Sequence, residues 1–180
     1  TLQNPSENYN LPGSYSVTLT INQGLPGEST MTRSLHVYPK PRPRIPVSVE
    51  SCEPFTGSLT AVSDPVVVLP FTLPGLPPAP PVSYIGGITG GNAVSYTFNF
   101  FGDLPTVTQS SGVLNLVDVP AGIYDVLLTV VDEYGCTNTI FVPFAITVSP
   151  VPQVDFSFNK LNQCGLGSVN FVGTATVSPG

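Results

Sequence analysis

Three cysteines, one histidine and a few carboxylates are the side chains of this sequence most able to do chemistry. Cys52, Cys136 and Cys164 stand far apart, without the close spacing that a zinc site requires. His36 lies in an alternating apolar segment with no nucleophile or carboxylate motif near it, and no Gly-x-Ser-x-Gly sequence occurs. We therefore expect no zinc site and no catalytic base, and we predict that His36 is a surface residue of a strand.

Four acidic residues, Asp103, Asp118, Asp132 and Glu133, lie where turns are predicted. Several carboxylates together could bind Ca²⁺, because hard cations prefer oxygen ligands. Scattered acidic residues are more often simply turn formers, since their side chains hydrogen-bond to nearby backbone. The sequence thus predicts a protein that is not an enzyme, with no catalytic residue, no cofactor and no metal site.

The composition favours strands and turns. Hydrophobic residues make up 41% of the 180 residues and charged residues 9%, against about 25% charged in an ordinary soluble domain. There are 21 prolines and 17 glycines, and a proline inside a helix costs about 3 kcal/mol. Val, Thr, Phe and Tyr suit pleated, half-buried surfaces. We therefore predict an all-β protein with enough apolar surface for a core and essentially no α-helix.

The charge balance argues against two classes of partner. The formal net charge is −6 and no basic patch is present, so binding to nucleic acid is not expected. The sequence has no run of 18 or more apolar residues, so no membrane insertion by a helix is predicted.

Two short motifs each occur twice, and both recur after nearly the same interval. Pro-Gly-Ser-Tyr-Ser-Val at positions 12–17 is matched by Ala-Gly-Ile-Tyr-Asp-Val at positions 121–126. Val-Tyr-Pro at positions 37–39 is matched by Val-Ser-Pro at positions 148–150. The interval is about 110 residues in both cases, close to the size of one Ig-like sandwich. This period predicts tandem sandwich modules.

The order of these motifs sets the predicted domain boundaries. Residues 1–39 are the C-terminal part of one module, residues 40–149 are a complete module, and residues 150–180 are the N-terminal part of the next. The proline-rich junctions favour extended, stiff linkers. Because neither end part can bury its apolar face alone, we expect the chain to continue past both ends.

Within the complete module, apolar residues alternate with period two, as in half-buried strands. The alternating sets are Ile45, Val47 and Val49; Tyr96, Phe98 and Phe100; Tyr124, Val126, Leu128 and Val130; and Ile140, Val142, Phe144, Ile146 and Val148. Phe98, Phe100 and the third set are predicted core positions. Pro143 in the last set indicates an edge strand or a bulge. Residues 132–136 are predicted to form the hairpin turn, and residues 70–92 a long loop that is the best candidate contact surface.

Cys52 and Cys136 fall in the same predicted module, one near its first strands and one at its last hairpin. We predict a disulfide between them, in the oxidising setting that a surface protein implies. Closing the 84-residue loop from Cys52 to Cys136 would stabilise the module by about 4 kcal/mol. The alternative is two buried free thiols. Cys164 follows Cys52 after the same interval as the repeated motifs, so it is the counterpart of Cys52 in the next module, and its partner would lie beyond Gly180.

The motifs resemble the polycystic-kidney-disease (PKD) type of Ig-like domain. The resemblance rests on Tyr96-x-Phe98-x-Phe100-Phe101-Gly102-Asp103, on Gly122-x-Tyr124-x-Val126-x-Leu128-x-Val130, and on Asn4-Pro5 with Pro12-Gly13-x-Tyr15-x-Val17-x-Leu19. The complete module departs from that family in having Phe98 where Trp is usual, Leu104 in place of a second glycine, and no Asn-Pro. The resemblance implies tandem Ig-like (PKD-like) β-sandwich modules.

The tandem layout and the Gly135-Cys136 turn are similar to those of very large cell-surface proteins of Bacteroidota, the SprB-like gliding-motility adhesins exported by type IX secretion. This resemblance implies a structural and adhesive repeat region of an extracellular, cell-surface protein. Its partners would be neighbouring repeats of the same chain and a surface polysaccharide or protein ligand. Two alternatives remain: an accessory module of a secreted hydrolase, and a filament subunit completed by strand donation.

Overall fold

The computed structural model describes residues 6–69, 82–158 and 168–177. Every regular element in these ranges is a β-strand, and no helix occurs in them. The prediction of an all-β protein is therefore confirmed for this part of the chain. None of the described residues belongs to a helix long and apolar enough to cross a membrane.

The described strands fall into an N-terminal hairpin, a central group and a C-terminal hairpin. The N-terminal hairpin consists of β1 (Gly13–Ile21) and β2 (Ser29–Val37). The central group consists of β3 (Arg42–Arg44), β4 (Val49–Cys52), β5 (Phe55–Thr60), β6 (Val62–Asp64), β7 (Val67–Val68), β8 (Val82–Gly86), β9 (Ile88–Thr89), β10 (Ala93–Asn99), β11 (Val107–Gln109), β12 (Val113–Val119), β13 (Gly122–Asp132) and β14 (Thr137–Ser149). The C-terminal hairpin consists of β15 (Gln153–Phe158) and β16 (Phe171–Thr176).

The central group builds one core between two sets of strands. A five-stranded sheet has the order β11-β10-β13-β14-β4, and it is antiparallel except that β4 runs parallel to β14. β5 and β12 pair antiparallel, and their buried side chains belong to the same core as those of the five-stranded sheet. The buried hydrophobic residues are Leu59, Ala61, Phe98, Phe100, Leu114, Leu116, Val119, Tyr124, Val126, Leu128, Val130, Ala145, Ile146 and Val148.

The core positions predicted on β10 and β13 are confirmed. All six of them are buried: Phe98, Phe100, Tyr124, Val126, Leu128 and Val130. Alternate residues of a strand point to opposite faces, so one face of β13 is buried while the residues between are more exposed. The period-two pattern therefore identified the buried face of both strands.

The alternation predicted for the last strand is wrong over its middle. On β14 Val142 and Ile146 are four positions apart, whereas their partners on β13 are only two positions apart. The extra residues form a bulge that includes Pro143, as the proline predicted. Phe144, with a φ of 52°, turns outwards and is 61% exposed, while Ala145 and Ile146 are both buried. Because β14 lies between β13 and β4, it is not an edge strand.

The alternating segment from Ile45 to Val49 is not one strand, contrary to prediction. β3 ends at Arg44 and β4 begins at Val49, and Val47 between them is 73% exposed. β3 pairs with β6, whereas β4 joins the five-stranded sheet beside β14. Pro46 has no N–H to donate to a ladder, so the strand breaks here and the chain changes sheet.

The segment predicted as a long loop, residues 70–92, contains strands, so that prediction is wrong for residues 82–89. β8 pairs antiparallel with β1, and β9 pairs antiparallel with β7. β8 lies on the side of β1 opposite β2, giving the order β2-β1-β8. An edge strand presents unpaired N–H and C=O groups, and this edge of β1 accepts β8. The remaining residues of the predicted loop, 70–81, lie outside the described part of the chain.

The sequence repeat corresponds to a repeated hairpin register. Gly13 pairs with Val37 in the β1–β2 hairpin, and Gly122 pairs with Val148 in the β13–β14 hairpin. These are the same glycine and valine of the two repeated motifs. Both hairpins therefore begin and end at equivalent positions, although their turns and the bulge in β14 differ.

A tyrosine corner recurs in the same two hairpins. The Tyr15 hydroxyl donates a hydrogen bond to the Leu11 carbonyl oxygen at 2.6 Å, and the Tyr124 hydroxyl donates one to the Pro120 carbonyl oxygen at 2.9 Å. Burial, with a smaller contribution from the charge of Asp103, raises the pKa of Tyr124 above its usual value of 10.0. The phenol is therefore a protonated donor at neutral pH.

We expect Tyr124→Phe to lower the free energy of unfolding by about 0.5–1.5 kcal/mol, the usual net worth of one hydrogen bond. Phenylalanine keeps the ring in the core and removes only the donor to Pro120. Urea denaturation of the 180-residue chain, followed by circular dichroism, measures the difference. Tyr124→Leu, which also removes the aromatic ring, should cost more, and equal stability of Tyr124→Phe and the unaltered chain would contradict the role of the corner.

The C-terminal hairpin exposes an aromatic face. Phe156, Phe158 and Phe171 have ring centroids 6.1 to 6.3 Å apart, and each is at least 41% exposed. β15 and β16 pair only with each other among the described strands. A two-stranded hairpin is at best marginally stable alone in water, so these rings require a further covering surface.

Candidate functional site

The segment Tyr38–Pro43, here called the linker, leads from β2 to β3 and packs against the turn between β13 and β14. The Tyr38 ring stacks on the Tyr134 ring, with centroids 3.7 Å apart and planes 14° from parallel. The Cys136 Sγ lies 3.9 Å from the Tyr38 carbonyl oxygen. The N-terminal hairpin is thus joined to the central group by specific contacts as well as by the chain.

The linker alternates between buried and exposed residues. Pro39, Pro41 and Pro43 are buried, and the Asn138 side-chain amide donates a hydrogen bond to the Pro41 carbonyl oxygen at 2.9 Å. The residue that follows each of these prolines is an exposed cation: Lys40, Arg42 and, directly after the linker, Arg44. The proline ring fixes the φ angle, so three prolines in alternation keep this segment extended. The linker therefore has little freedom to bend.

Asp132 organises the β13–β14 turn, as the predicted hairpin turn requires. One oxygen of its carboxylate, Oδ1, accepts hydrogen bonds from the backbone N–H groups of Tyr134 at 3.0 Å and Cys136 at 2.8 Å. Gly135 has a φ of +80°, a conformation that side chains rarely adopt. Asp132 is only 1% exposed, and its Oδ2 is a buried atom that has no hydrogen-bond partner among the described residues.

A reciprocal pair ties the turn to the segment before β10. The Asn92 backbone N–H and side-chain amide both donate to Glu133 Oε1, at 3.0 and 3.2 Å, and the Glu133 N–H donates to the Asn92 carbonyl oxygen at 3.0 Å. A Cβ at Gly91 would lie 2.8 Å from Glu133 Cγ, so only glycine fits this close approach. The turn that contacts Tyr38 is therefore held from two sides.

Cys136 is a protonated thiol in this setting. Burial raises the pKa of Cys136 above 9.0, and the negative charge of Asp132 raises it further, whereas Lys40 acts in the opposite direction. The thiolate is the reactive form of cysteine, so Cys136 is a poor nucleophile at neutral pH. The feature of Cys136 that bears on function is thus its contact with Tyr38, and not its reactivity as a nucleophile.

The predicted disulfide between Cys52 and Cys136 is not compatible with this geometry. Both are free thiols, Cys52 exposed and Cys136 half-buried, so the alternative of two buried thiols also fails for Cys52. Cys52 is the partner of Ser149 at one end of β14, whereas Cys136 directly precedes Thr137 at the other end. β14 from Thr137 to Val148 runs beside nine residue steps of β13, about 30 Å, and a disulfide needs Cα atoms about 4.4–6.8 Å apart. Cys164 lies outside the described residues.

Glu53 holds the end of the central group that contains Cys52. Its carboxylate accepts hydrogen bonds from the backbone N–H groups of Val151 and Ala121, both at 3.2 Å. Its own N–H donates to the Ser149 carbonyl oxygen at 2.9 Å. One glutamate thus connects the chain leaving β14 with the start of β13.

The four acidic residues considered for calcium are not brought together. Asp103 lies near Tyr124, where β13 begins, and Asp132 and Glu133 lie at its far end. Asp118 belongs to β12, on the other side of the core. Within the described ranges, no group of three or more His, Cys, Asp or Glu side chains is placed to hold a metal ion.

His36 is an exposed residue of β2, as predicted. Its Nδ1 lies 3.0 Å from the Ser14 hydroxyl, because Ser14 is its cross-strand partner on β1. Nucleophilic catalysis by a serine and a histidine needs a third group that orients the histidine. In the part of the chain that the structure describes, no carboxylate forms a hydrogen bond with His36.

The contact between the linker and the β13–β14 turn, here called the junction, depends on Tyr38, Tyr134 and Asn92, which were not predicted as functional residues. Their only signals were a tyrosine directly before the linker prolines and another inside the predicted turn. The junction fixes the orientation of the linker relative to the β13–β14 turn. It does so through stacked rings and hydrogen bonds to backbone, beside a protonated thiol. Compared with known proteins, the chain matches no family model, no curated protein and no solved structure.

Proposed function

We propose that this chain is a structural and adhesive repeat region of a large extracellular, cell-surface protein, built from tandem Ig-like modules of the PKD type. In this proposal residues 40–149 are one module, preceded and followed by parts of its neighbours. Each module acts as a stiff spacer that extends the protein away from the cell and presents binding surfaces. The PKD-like and SprB-like resemblances add gliding motility and type IX secretion to the proposal.

The observation that carries the proposal is the recurrence of one hairpin at both positions of the sequence repeat. The two hairpins share the register Gly13–Val37 and Gly122–Val148, and each has a tyrosine corner. A tyrosine corner at the start of a late strand is typical of Ig-like sandwiches. A local structure that recurs after about 110 residues supports a chain of modules of that size.

The junction supports the role of a spacer. Tyr38 stacks on Tyr134, and Asn138 binds the carbonyl group of Pro41, so one hairpin is held in a defined orientation on the next group of strands. Relative motion is the default between domains with small interfaces, and stiff proline linkers with specific contacts reduce it. An array with such junctions would keep a defined length and would transmit force from one module to the next.

The exposed apolar faces of the two end hairpins support neighbours in the same chain. Leu19 and Met31 of the N-terminal hairpin are each more than half exposed, as are Phe156 and Phe171 of the C-terminal hairpin. In a complete module such faces are covered by further strands of the same module. The neighbouring repeats would therefore be the first partners, and a surface polysaccharide or protein would be the ligand of the array.

A second candidate, the filament subunit, draws on one specific observation. The edge of β1 accepts β8 as an added antiparallel strand, in the place that β10 occupies beside β13. Strand addition from another subunit at this edge would build a filament. The third candidate, an accessory module of a secreted hydrolase, requires a catalytic domain elsewhere in the full-length protein.

Small-angle X-ray scattering on a chain with residues 40–150 duplicated in tandem tests the proposal, because this duplication keeps the proline before Lys40 at the new junction. We expect the maximum dimension to exceed that of the 180-residue chain by about 30 Å, the length of the paired stretch of β13 and β14. An unchanged maximum dimension would contradict the spacer role, and growth of mass with concentration would favour the filament. As a matched control, Tyr134→Ala in the first copy, which removes the ring that stacks on Tyr38, should keep the mass and broaden the distance distribution.

A further inference from the structure

Tyr38 and Ser149 occupy the same position in the two repeats. Each directly follows the last valine of its hairpin, Val37 or Val148, and each directly precedes a proline. The two valines face equivalent glycines in their hairpins. In an array, the residues seen next to Ser149 should therefore also lie next to the equivalent of Tyr38. The residues seen next to Tyr38 should likewise lie next to the equivalent of Ser149.

At Ser149 the neighbour is Cys52. Cys52 is the parallel-strand partner of Ser149, and the N–H of the next residue, Glu53, donates to the Ser149 carbonyl oxygen at 2.9 Å. That carbonyl group therefore points towards the strand that carries Cys52. Partner residues of adjacent strands project to the same face, so the exposed Cys52 side chain leaves the sheet beside that of Ser149.

At Tyr38 the neighbour is Cys136. The Cys136 Sγ lies 3.9 Å from the Tyr38 carbonyl oxygen, the group equivalent to the one that points towards Cys52 at Ser149. The Tyr38 side chain stacks on Tyr134, two residues before Cys136. Both kinds of cysteine thus lie next to the same repeat position, and each is on the side towards which the carbonyl group of that position points.

We propose that Cys136 of each module forms a disulfide with the counterpart of Cys52 in the module before it, across the junction. The inference rests on the proposed tandem array. Cys52 lies one strand spacing, about 4.8 Å, from Ser149, and the Cys136 Sγ lies 3.9 Å from the carbonyl oxygen of Tyr38, so both cysteines reach the same repeat position. It explains why Cys52 and Cys136 lie at opposite ends of β14: each faces a different neighbouring module. Cys164 would have the role of Cys52 for the module that follows.

The step is an ordinary thiol oxidation. The two thiols lose two protons and two electrons, the S–S bond forms, and the electrons reduce an acceptor disulfide, of a thiol oxidoreductase or a small-molecule disulfide, to two thiols. The raised pKa of Cys136 makes the exposed Cys52 thiol the better attacking group on the acceptor disulfide. Cys136 then completes the bond by exchange from its position at the junction. The disulfide would tie the module before the linker to the module after it.

The test uses the chain with residues 40–150 duplicated in tandem and Cys164→Ser, so that Ser149-Pro150 precedes Lys40 of the second copy as Tyr38-Pro39 precedes Lys40 of the first. In the junction variant only Cys52 of the first copy and Cys136 of the second remain, the other two cysteines being changed to serine. In the distal variant only Cys136 of the first copy and Cys52 of the second remain. The two variants have the same number of thiols and the same local sequences around them, so they differ only in which end of each module is reactive.

After equilibration with oxidised and reduced glutathione, mass spectrometry of the alkylated, non-reduced protein counts the free thiols. We expect an intramolecular disulfide in more than nine tenths of the junction variant and in less than one tenth of the distal variant. Equal bridging in both variants, or bonds only between molecules, would overturn the inference. If a serine variant does not fold, the same mass spectrometry on the duplicated chain with all its cysteines identifies which cysteines are linked.

Scattering on the same samples separates the two proposals. Free thiols in a junction variant that has the expected extended dimension would overturn the disulfide and leave the array standing. Free thiols in a compact particle would overturn both. In the unduplicated 180-residue chain, Cys52 and Cys136 should both alkylate and never be recovered as one linked pair.

Discussion

Replacing Leu128 by alanine should lower the free energy of unfolding of the 180-residue chain by about 2–5 kcal/mol. Leu128 has no exposed surface, and it lies on β13 between two other strands of the five-stranded sheet. The substitution removes apolar contacts and leaves a cavity in a core that neighbouring strands hold in place. Equilibrium unfolding in urea, with the slope compared between variants, measures the loss.

Ile123→Ala is the matched control for Leu128→Ala. Ile123 lies on the same strand but is 59% exposed, so its truncation removes little buried surface. We expect a loss below about 1 kcal/mol, most of it from reduced strand propensity. Similar losses for both substitutions would show that the buried face of β13 is not the one that carries Leu128.

Replacing Asp132 by alanine should cost about 2–3 kcal/mol, because it removes the acceptor of two charge-assisted hydrogen bonds. The N–H groups of Tyr134 and Cys136 would lose their shared partner, and the turn would no longer be held in its present shape. Because this turn carries the Tyr134 ring and Cys136, the contact with Tyr38 should loosen as well. Urea unfolding measures the first effect, and the rate of Cys136 alkylation measures the second, rising at least severalfold.

Asp132→Asn is the conservative comparison. Asparagine keeps an oxygen at the position that accepts both N–H groups but removes the charge, so we expect about half the loss and little change in Cys136 alkylation. If Asp132→Ala alkylates no faster than the unaltered chain, the turn does not depend on this carboxylate. If Asp132→Asn is as damaging as Asp132→Ala, the charge matters more than the hydrogen bonds.

The strand content and the buried faces of β10 and β13 were predictable from the sequence. Side chains of a strand alternate between two faces whatever the strand pairs with, so a run such as Tyr124, Val126, Leu128 and Val130 reveals its buried face locally. The hairpin turn at residues 132–136 was equally local, because Asp and Gly have preferences within a few residues. The missing N–H of Pro143 indicated an edge strand or a bulge, and the pairing of β14 with both β13 and β4 decided for the bulge.

The tertiary structure decided what depends on partners distant in the chain. The bulge in β14 reverses the faces of Phe144 and Ala145 through its pairing with β13, and the break at Pro46 moves the chain from one sheet to another. No local preference reports such long-range pairing.

The cysteines show most clearly which features the sequence determines and which the tertiary structure decides. The sequence by itself determined that Cys52 and Cys136 occur once each within one period of the repeat, and that Cys164 is the counterpart of Cys52. Only the strand order placed Cys52 beside Ser149 and Cys136 beside Tyr38, at opposite ends of β14. The physical reason is that a spacing along the chain states how long a loop is, whereas the direction and pairing of the strands decide where its ends lie.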